Sequence, residues 1–525
     1  MVSPDSALIL TTLFIFLAFL HLLHRSFRRT TLPLPPGPKG YPILGALPLI
    51  GHTPHVSLAN LAKLYGPLMH LKLGNSHIIV ISSSSTAHSF FTTLDLQFAN
   101  RPGKVISAKH ISYNGNDMTF SNYTPKWKLF RRLTTLHMLG SKAMSTWSDI
   151  RHDEIHRMLQ SMHESSQRGQ LIVVPETLIC ATTNIIGRVM LSQRVFDASD
   201  PKLGSYKELL KKLMTGGGMF NVGDFVPAVA WMDLQGIQAK LKKGKEMMDQ
   251  MIKAMLAQHA ASAEERKGTP DFADLVMASD LRDDNGDKLS DVNIRGLLAN
   301  IFKAGTDTST IIVEWALAEI LKNRDILESM QSEMDVIIGR ERALQESDIP
   351  NLPYLQAVVK ETLRLHPSTP LSLPHFFLFE SCEVNGYYIP ANTRLITNIW
   401  AIGRDPDVWE RPLEFDPMRF LPGGKAAKIE PYGTDFELIP FGAGRRICIG
   451  KTSGMVFVQY LLGALVHGFD WRLPDGVVID MEETPGLVIP KAVPIKAFVT
   501  PRLFAHSLCV AVYGYSSICL GYFFA

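Results

Sequence analysis

Cysteine is scarce in this 525-residue sequence: there are five, and no two form a CxxC pair. Zinc and iron–sulfur sites therefore have little support. The odd number argues against a disulfide framework and favours a reducing compartment. Net charge is scarce too, at +3 formal charges. This disfavours binding to nucleic acid through overall charge, and we expect no nucleic-acid partner, although a local basic face stays open.

Internal repeats and low-complexity tracts are also missing between residues 41 and 501. The length alone suggests two to four folding units. Residues 291–323 read as one long helix, apolar on nearly every face and preceded by Ser290 as a possible N-cap, so we expect it to cross the core. Residues 65–82 and the stretch that starts at Cys382 alternate like hairpins. The predicted fold class is mainly α with small β-sheets (α+β), and the polar stretch 259–290 is interpreted as a solvated connection.

The two ends differ in character from the body. Residues 7–23 contain no Asp, Glu, Lys or Arg and would form a helix about 26 Å long, close to the hydrocarbon thickness of a bilayer. Basic residues follow this run, which favours a retained anchor with the body in the cytosol over a cleaved signal peptide. We therefore predict a membrane anchor at 1–24, a basic and proline-rich hinge at 25–40, and an apolar tail of uncertain role at 503–525.

A glycine-rich loop, "FGAGRRICIG" at 441–450, holds the most informative cysteine, Cys448. Gly444 and Gly450 allow close backbone approach, Phe441 can cover the sulfur, and Arg446 can meet an anion. A lone thiolate is one of the axial ligands that proteins give to haem iron. For an isolated motif, a turn with a buried free cysteine would be the better interpretation, so the rest of the chain must decide.

The middle of the long predicted helix carries "AGTDTS", residues 304–309. Glycine, aspartate and threonine are poor choices for the centre of a core helix, and such a conflict is typical of a functional site. The Thr308 hydroxyl can bond back to a carbonyl, and Thr308 with Asp307 can relay protons. The alternative is a helix kink with a satisfied polar cluster.

Two further motifs pair charged or polar groups on one helix face. "ETLR" places Glu361 beside Arg364, and Arg419 of "FDPMRF" can join them in a buried network. "WKLFR" places Trp127 and Arg131 four residues apart, where together they can hold a carboxylate. Taken alone, each motif is also compatible with an ordinary surface ion pair or amphipathic helix.

Together these residues resemble the cytochrome P-450 superfamily of haem-thiolate monooxygenases. The matching elements are F-x-x-G-x-R-x-C-x-G at 441–450, A-G-x-D-T at 304–308, E-x-x-R at 361–364 and W-x-x-x-R at 127–131, in this order. The resemblance implies a single haem-binding catalytic domain at 41–502 with the long helix over the haem. It implies haem b, with Cys448 as the iron ligand and Glu361, Arg364 and Arg419 as a structural triad. It also implies that the other cofactor-binding and oxygen-activating residues are those of the loop and helix motifs: Arg446, Trp127, Arg131, Phe441, Gly444, Gly450, Thr308 and Asp307.

Longer stretches, such as "RALQESDIPNLPYLQAVVKETLRLHPSTPLSLP", are similar to the plant flavonoid 3′,5′-hydroxylases. This similarity implies insertion of one atom of O₂ into the flavonoid B-ring at the 3′ or 5′ position, or both. Electrons would come from NADPH through a membrane-bound cytochrome P-450 reductase at the endoplasmic reticulum. Ala304 and Val488 would line the substrate pocket. The reductase would dock on a basic face, which is equally explained by solubility: Lys126, Lys128, Arg132, Arg445 and Lys451.

The chain departs from the family pattern at several positions. His375 stands where an arginine usually binds a haem propionate, and Met418 replaces a glutamate, so both are expected to weaken haem binding or packing. Lys303 replaces a small or apolar residue and, at about 140° from Thr308 around the helix, is predicted to point away from the haem. His375 remains a candidate cofactor-binding residue.

Two alternatives to a flavonoid hydroxylase stay open at this point. One is a plant monooxygenase of the same fold that acts on a terpenoid or an alkaloid. The other is a degenerate haem-binding copy without catalysis, which the departures at His375 and Met418 slightly favour. A soluble protein without haem does not explain the cysteine loop and the polar helix centre together.

Overall fold

The computed structural model describes residues 12, 16, 32–103, 105–197, 200–278, 282–377 and 381–504. Apart from Thr12 and Phe16, the predicted anchor lies outside the described residues, as does most of the apolar tail. Within the described part of the chain, no helix combines the length and the apolar character that crossing a membrane requires. The described part of the hinge lies along the body, where backbone N–H groups of His70 and Tyr388 donate to the carbonyls of Pro36 and Pro33, each at 2.8 Å.

Helices make up most of the described chain, which confirms the predicted mainly helical class. In chain order they are α1 Pro54–Tyr65, α2 Ser84–Thr93, α3 Ile106–Ile111, α4 Pro125–Thr134, α5 Ser141–Thr146, α6 Ser148–Gln167, α7 Val174–Leu191, α8 Pro201–Gly218, α9 Val222–Phe225, α10 Ile237–Ala261, α11 Phe272–Ala278, α12 Asp291–Lys322, α13 Arg324–Ile337, α14 Pro353–Leu365, α15 Ile399–Ile402 and α16 Lys451–Gly468. Short 3₁₀ turns link several of them, among them Pro417–Phe420 and Gly444–Arg446.

The strands form small sheets at the edges of the helical body. They are β1 Leu68–Leu73, β2 Ser76–Ile81, β3 Ile172–Val173, β4 His375–Phe376, β5 Ser381–Val384, β6 Tyr387–Pro390, β7 Arg394–Thr397, β8 Phe469–Arg472 and β9 Lys496–Pro501. The largest sheet has the order β1-β2-β7-β4, with β2 and β7 parallel and the other pairs antiparallel. The sheet β3-β9-β8 and the hairpin β5-β6 are antiparallel. Both hairpins predicted from alternation, β1-β2 and β5-β6, are confirmed.

Helix α12 is the axis of the core, as its apolar sequence predicts. Ser290 is its N-cap: the Ser290 hydroxyl accepts from the backbone N–H of Asn293 at 3.3 Å, and the Asn293 side chain accepts from the Ser290 N–H at 3.1 Å. The helix then runs without interruption to Lys322, and Trp315 near its end is fully buried with its indole N–H on the Ile489 carbonyl. A polar stretch at mid-helix is thereby carried into the interior.

The polar stretch 259–290 is more structured than predicted. His259 and Asp271 are almost fully buried, and Arg266 donates to Asp274 at 2.8 Å while its second terminal nitrogen reaches the His259 carbonyl at 2.9 Å. The prediction of a merely solvated connection is therefore wrong for these residues, because their opposite charges neutralise one another inside the fold. Sequence spacing does not reveal this pairing.

Candidate active site

A cavity of about 350 Å³ lies in the interior, between the cysteine loop and helix α12. Its wall carries most of the residues singled out by sequence: Trp127, Arg131, Ala304, Thr308, His375, Phe441, Arg446, Cys448, Gly450 and Val488. Cys448 lies inside the fold, yet its side chain is exposed because it faces this space. The chain thus brings together residues that are separated by more than three hundred positions.

The cysteine loop is shaped by its glycines. Gly444 has φ +68°, and a Cβ there would stand 2.3 Å from the Asp95 carboxylate, which accepts the backbone N–H of Arg445 at 3.0 Å. A Cβ on Gly450 would lie 3.7 Å from the Cys448 sulfur. Gly444 therefore needs glycine, for its φ and for the close approach of Asp95, whereas a Cβ at Gly450 would make only ordinary contacts. Asp95 itself carries no sequence signal for this role.

Opposing effects act on the pKa of the Cys448 thiol. Burial raises the pKa of the thiol above its usual value, although the backbone N–H of Gly450 and the charges of Arg131 and Lys451 act to lower it. The loop alone thus does not bring the pKa of the Cys448 thiol below its usual value. A bound cation does so directly, because a thiol that coordinates a metal is deprotonated.

Three arginines at the cavity wall have no carboxylate partner in the described residues: Arg101, Arg131 and Arg446. Their donors go to backbone carbonyls instead. Arg446 bonds Ala99 and Ser121 at 2.6 Å each, and Arg131 bonds Ile447 at 2.8 Å. One terminal nitrogen of Arg446 is buried without any partner. Burial lowers the pKa of Arg446 to about 8, and the charges of Arg101 and Arg131 add to that effect.

Arg101 is a site residue that the sequence analysis missed. It is buried in the cavity wall, where it donates to the carbonyls of Thr119, Leu373 and Pro374 at 2.8–3.1 Å. Burial lowers its pKa to about 10. Before the fold is known, an arginine that precedes a proline is indistinguishable from a surface charge, and only its burial without a counter-ion marks it.

Two predicted propionate contacts are arranged differently from expectation. The indole N–H of Trp127 donates to the Met118 carbonyl at 3.0 Å, so its donor is already engaged, and the Trp127 ring instead lies 4.4 Å under the Arg446 guanidinium. His375 bonds the Phe98 carbonyl through Nδ1 at 3.0 Å. Burial, reinforced by Arg101 and Arg446, lowers the pKa of His375 far below its usual value. A neutral His375 with Nδ1–H bonded in this way leaves Nε2 as an acceptor, which does not suit a carboxylate.

These observations fit haem. A soft sulfur faces a large, mainly apolar space, and unneutralised guanidiniums, one with an orphaned buried nitrogen, stand at the same wall. Haem carries a flat apolar ring, an iron that takes a thiolate ligand and two carboxylates, which together match this donor set. Cys448 would hold the iron, and Arg101, Arg131 and Arg446 would neutralise the propionates.

Helix α12, on the other side of the cavity from the cysteine loop, carries a hydroxyl and a carboxyl group. The Thr308 hydroxyl donates to the Ala304 carbonyl at 2.6 Å, the back-bond expected from the sequence. Asp307 is not among the described residues that line the cavity. It lies on the flank of α12 that faces Tyr206 of α8, and burial raises the pKa of its carboxyl to about 7. Thr308 and Asp307 are therefore neighbours in sequence that face different sides of the helix.

Two of the departures behave differently from prediction. Met418 is 58% exposed, so its replacement of a glutamate leaves the core packing unperturbed. Lys303 is buried and belongs to the cavity wall, so the prediction that it points away from the site is wrong. Its long side chain bends from the flank of α12 to the Ile111 carbonyl, which Nζ reaches at 2.7 Å.

The structure brings the three triad residues together below the cysteine loop. Glu361 is fully buried and accepts two bonds from Arg364, each at 2.7 Å, and one from Arg419 at 3.1 Å. The backbone N–H of Asp416 adds a fourth at 2.8 Å. Arg364 also reaches the carbonyls of Gly403, Pro412 and Glu414. This network ties α14 to the segment that leads to the cysteine loop.

Fold and site together define a haem-thiolate protein, and comparison with known proteins places it further. The cytochrome P450 family model matches residues 35–496. The chain belongs to the cytochrome P450 family, an enzyme family of monooxygenases, which confirms the fold, cofactor and enzyme class predicted from sequence.

Named relatives cover nearly the whole chain. A flavonoid 3′,5′-hydroxylase of Solanum melongena is 54% identical over 91% of this chain and 92% of its own length. One of Gentiana triflora is 51% identical over 94% and 97%. A flavonoid 3′-monooxygenase of Petunia hybrida is 43% identical over 96% and 99%. Among solved structures, a zebra fish cytochrome P450 with abiraterone is 26% identical and superposes with a TM-score of 0.70 over 86% of this chain and 100% of that chain.

Replacing Glu361 by Gln should lower the free energy of unfolding by about 3–5 kcal/mol, because it leaves two buried guanidiniums without their counter-charge. Chemical denaturation would measure this loss. The matched control is Glu430→Gln, which weakens a half-exposed ion pair to Lys360 at 2.5 Å and should cost less than about 1 kcal/mol. Equal effects of the two substitutions would contradict the proposed importance of the buried network.

Replacing Arg446 by Met keeps the side-chain volume but removes a buried cation with an orphaned donor. We expect haem to leave this variant about tenfold faster or more, since hydrogen bonds to charged groups contribute about 1.5–3 kcal/mol. Transfer of haem to a scavenging apoprotein measures the rate. The control is the adjacent Arg445→Met, because Arg445 is exposed and pairs with Asp95. A rate unchanged in the Arg446 variant would remove the assigned role.

Proposed function

We propose that this protein hydroxylates the B-ring of flavonoids at the 3′ and 5′ positions, with O₂ and with electrons from NADPH. The observation that carries the proposal is the 51–54% identity to several proteins named flavonoid 3′,5′-hydroxylase over about nine tenths of the chain. The relatives named flavonoid 3′-monooxygenase are less similar, at 43–44%. The mainly apolar cavity beside Cys448 suits a planar aromatic substrate.

Bound haem supplies the activation of O₂, of which one atom enters the substrate C–H bond and the other leaves as water. The chain's own residues bind and orient around that chemistry. Cys448 would ligate the iron, and Arg101, Arg131 and Arg446 would hold the propionates. Ala304 and Val488, both at the cavity wall, would contact the substrate and exclude water. The structural triad of Glu361, Arg364 and Arg419 holds in place the segment that leads to the cysteine loop.

Proton delivery is the task of helix α12. Asp307 titrates near neutral pH because it is buried, so its carboxyl both takes up and releases protons at pH 7. The Thr308 hydroxyl, once it leaves the Ala304 carbonyl, is free to turn toward the cavity and pass a proton on. Asp307 faces the α8 side of α12, so in this proposal the proton reaches Thr308 from that side of the helix.

The proposal for electron delivery and location is supported by basic surface residues and by the apolar run near the N-terminus. Lys128, Arg132 and Arg445 are exposed, and Lys126 and Lys451 are half-buried. Lys128 and Arg445 lie 5.3 and 5.8 Å from the centre of the same ring, that of Tyr123. Such a basic face suits an acidic partner, and we assign it to the NADPH-dependent cytochrome P-450 reductase. The apolar run 7–23 would anchor the chain in the endoplasmic reticulum membrane, with the catalytic domain in the cytosol.

The test is reconstitution of the full-length protein with a reductase and NADPH on a panel of substrates. A flavanone with a single B-ring hydroxyl should give products with one and then two added oxygens on the B-ring, identified by mass and fragmentation. A monoterpenol and an alkaloid on the same panel distinguish the other substrate classes. NADPH consumption without any hydroxylated product would indicate a protein without the proposed activity.

Replacing Asp307 by Asn should lower product formation about a hundredfold while haem content stays unchanged, because general acid catalysis contributes roughly 10²–10⁴-fold. The sign of the pH effect follows from the raised pKa. The protonated donor is depleted as pH rises through about 7, so wild-type turnover falls there. The Asp307→Asn variant should not show this fall in turnover. The control is Asp325→Asn on the exposed start of α13. If turnover of the Asp307→Asn variant still falls as pH rises through about 7, the fall belongs to another titrating group.

A further inference from the structure

Lys303 is an unusual side chain for its place in the fold. It is 4% exposed, and in the cavity wall it neighbours the apolar side chains of Ile111, Met118, Ile186 and Ile301. Lysine is almost never fully buried unless it is paired, because removing an ammonium from water is costly. A buried lysine at the edge of a substrate cavity therefore requires a partner.

The described residues provide only part of that partner. The ammonium donates to the Ile111 carbonyl at 2.7 Å and forms no ion pair with any carboxylate in the described chain. Asp117 is the nearest opposite charge that acts on it, but the Asp117 oxygens are engaged by the backbone N–H of Phe120 at 2.8 Å and the Asn300 amide at 3.2 Å. An ammonium carries three donors, so Lys303 retains donors for a ligand.

The position of Lys303 along α12 fixes which part of a substrate it can meet. Lys303 precedes Thr308 by five residues, which is about 7.5 Å along the helix axis. In a flavonoid, six bonds separate the reacting C3′ of the B-ring from the oxygen on C4 of the central ring. At a reach of roughly 1.2 Å per bond this separation is about 7 Å. The C4 oxygen of a substrate with C3′ near Thr308 therefore lies about as far from Thr308 as the start of the Lys303 side chain does, in the cavity whose wall carries both residues.

We propose that Lys303 donates a hydrogen bond to the C4 carbonyl oxygen of the substrate and so selects 4-oxo flavonoids over flavans, which lack this oxygen. The inference rests on the proposed function and names the feature of the substrate that the site recognises. A conjugated carbonyl is a good acceptor that brings no formal charge, so it satisfies the ammonium without requiring a second buried ion. The polar side chains of Asn300 and Thr119 in the same wall are already bonded, Thr119 to Asn300 at 2.7 Å and Asn300 to Asp117 at 3.2 Å.

The experiment compares a flavanone with the flavan of the same hydroxyl pattern, both with the full-length holoprotein. Dissociation constants come from the change in the haem absorption spectrum, and products from turnover with reductase. Wild type should bind the flavanone about tenfold more tightly than the flavan or better, as expected for a hydrogen bond from a charged donor. Lys303→Met should lose this preference by weakening flavanone binding and leaving flavan binding within about twofold.

Two further variants keep the test decisive. Lys303→Gln retains a neutral donor and should restore part of the preference. Lys491→Met removes another buried lysine, one that bonds the Asp480 carbonyl and lies over Trp315, outside the described cavity wall, and should leave the preference unchanged. A wild-type protein that binds both ligands equally, or a Lys303→Met variant that keeps the wild-type preference, overturns the proposal while B-ring products still support the proposed function. Absence of B-ring products from either ligand overturns both.

Discussion

Positive charge without an ion-paired carboxylate is the constraint around which this site is built. Arg101, Arg131 and Arg446 are drawn into the cavity wall and bonded only to backbone carbonyls. Several kcal/mol per ion is the usual penalty for such burial; the buried Asp117 offsets part of it for Arg101 and Arg446, and an anion in the cavity would offset more. At Glu361, by contrast, buried positive charge is neutralised within the protein, because two guanidiniums share one fully engaged carboxylate. Arginine thus belongs to a self-neutralised structural network around Glu361 and to an open binding site at the cavity wall.

The same logic explains the polar centre of helix α12. The Thr308 hydroxyl donates to the backbone of its own helix, Asp307 faces α8, and the Lys303 ammonium donates to the Ile111 carbonyl. The three polar groups therefore point in different directions. The helix stays continuous from Asp291 to Lys322 because none of these groups takes a backbone N–H from its neighbours. A core helix can therefore present chemistry to a cavity without breaking its hydrogen-bond ladder.

Much of this arrangement could be predicted from sequence where the signal is local. The cap at Ser290, the span of α12 and the hairpins follow from capping chemistry and periodicity, and the cysteine loop follows from its glycines. What could not be predicted depends on contacts between distant segments. Arg101 and Asp95 acquire their roles only when the fold carries them to the cysteine loop. Lys303 was misjudged because an angle on a helical wheel places the Cα and ignores a side chain long enough to bend around the helix.

The departure at position 375 illustrates how charge can be redistributed within such a site. A histidine there, held neutral by burial and by the neighbouring Arg101 and Arg446, adds no cation to a wall that already carries three guanidiniums and the ammonium of Lys303. Each further buried guanidinium would repel those present, with a Coulomb energy of about 3 kcal/mol for charges 5–6 Å apart at an effective dielectric constant of 20. Neutral His375, fixed by the Phe98 carbonyl, instead packs edge-on against Phe91 at 5.3 Å and closes that side of the cavity. The substitution therefore exchanges a fourth guanidinium for a shaped, uncharged wall in the cavity that Arg101, Arg131 and Arg446 also line.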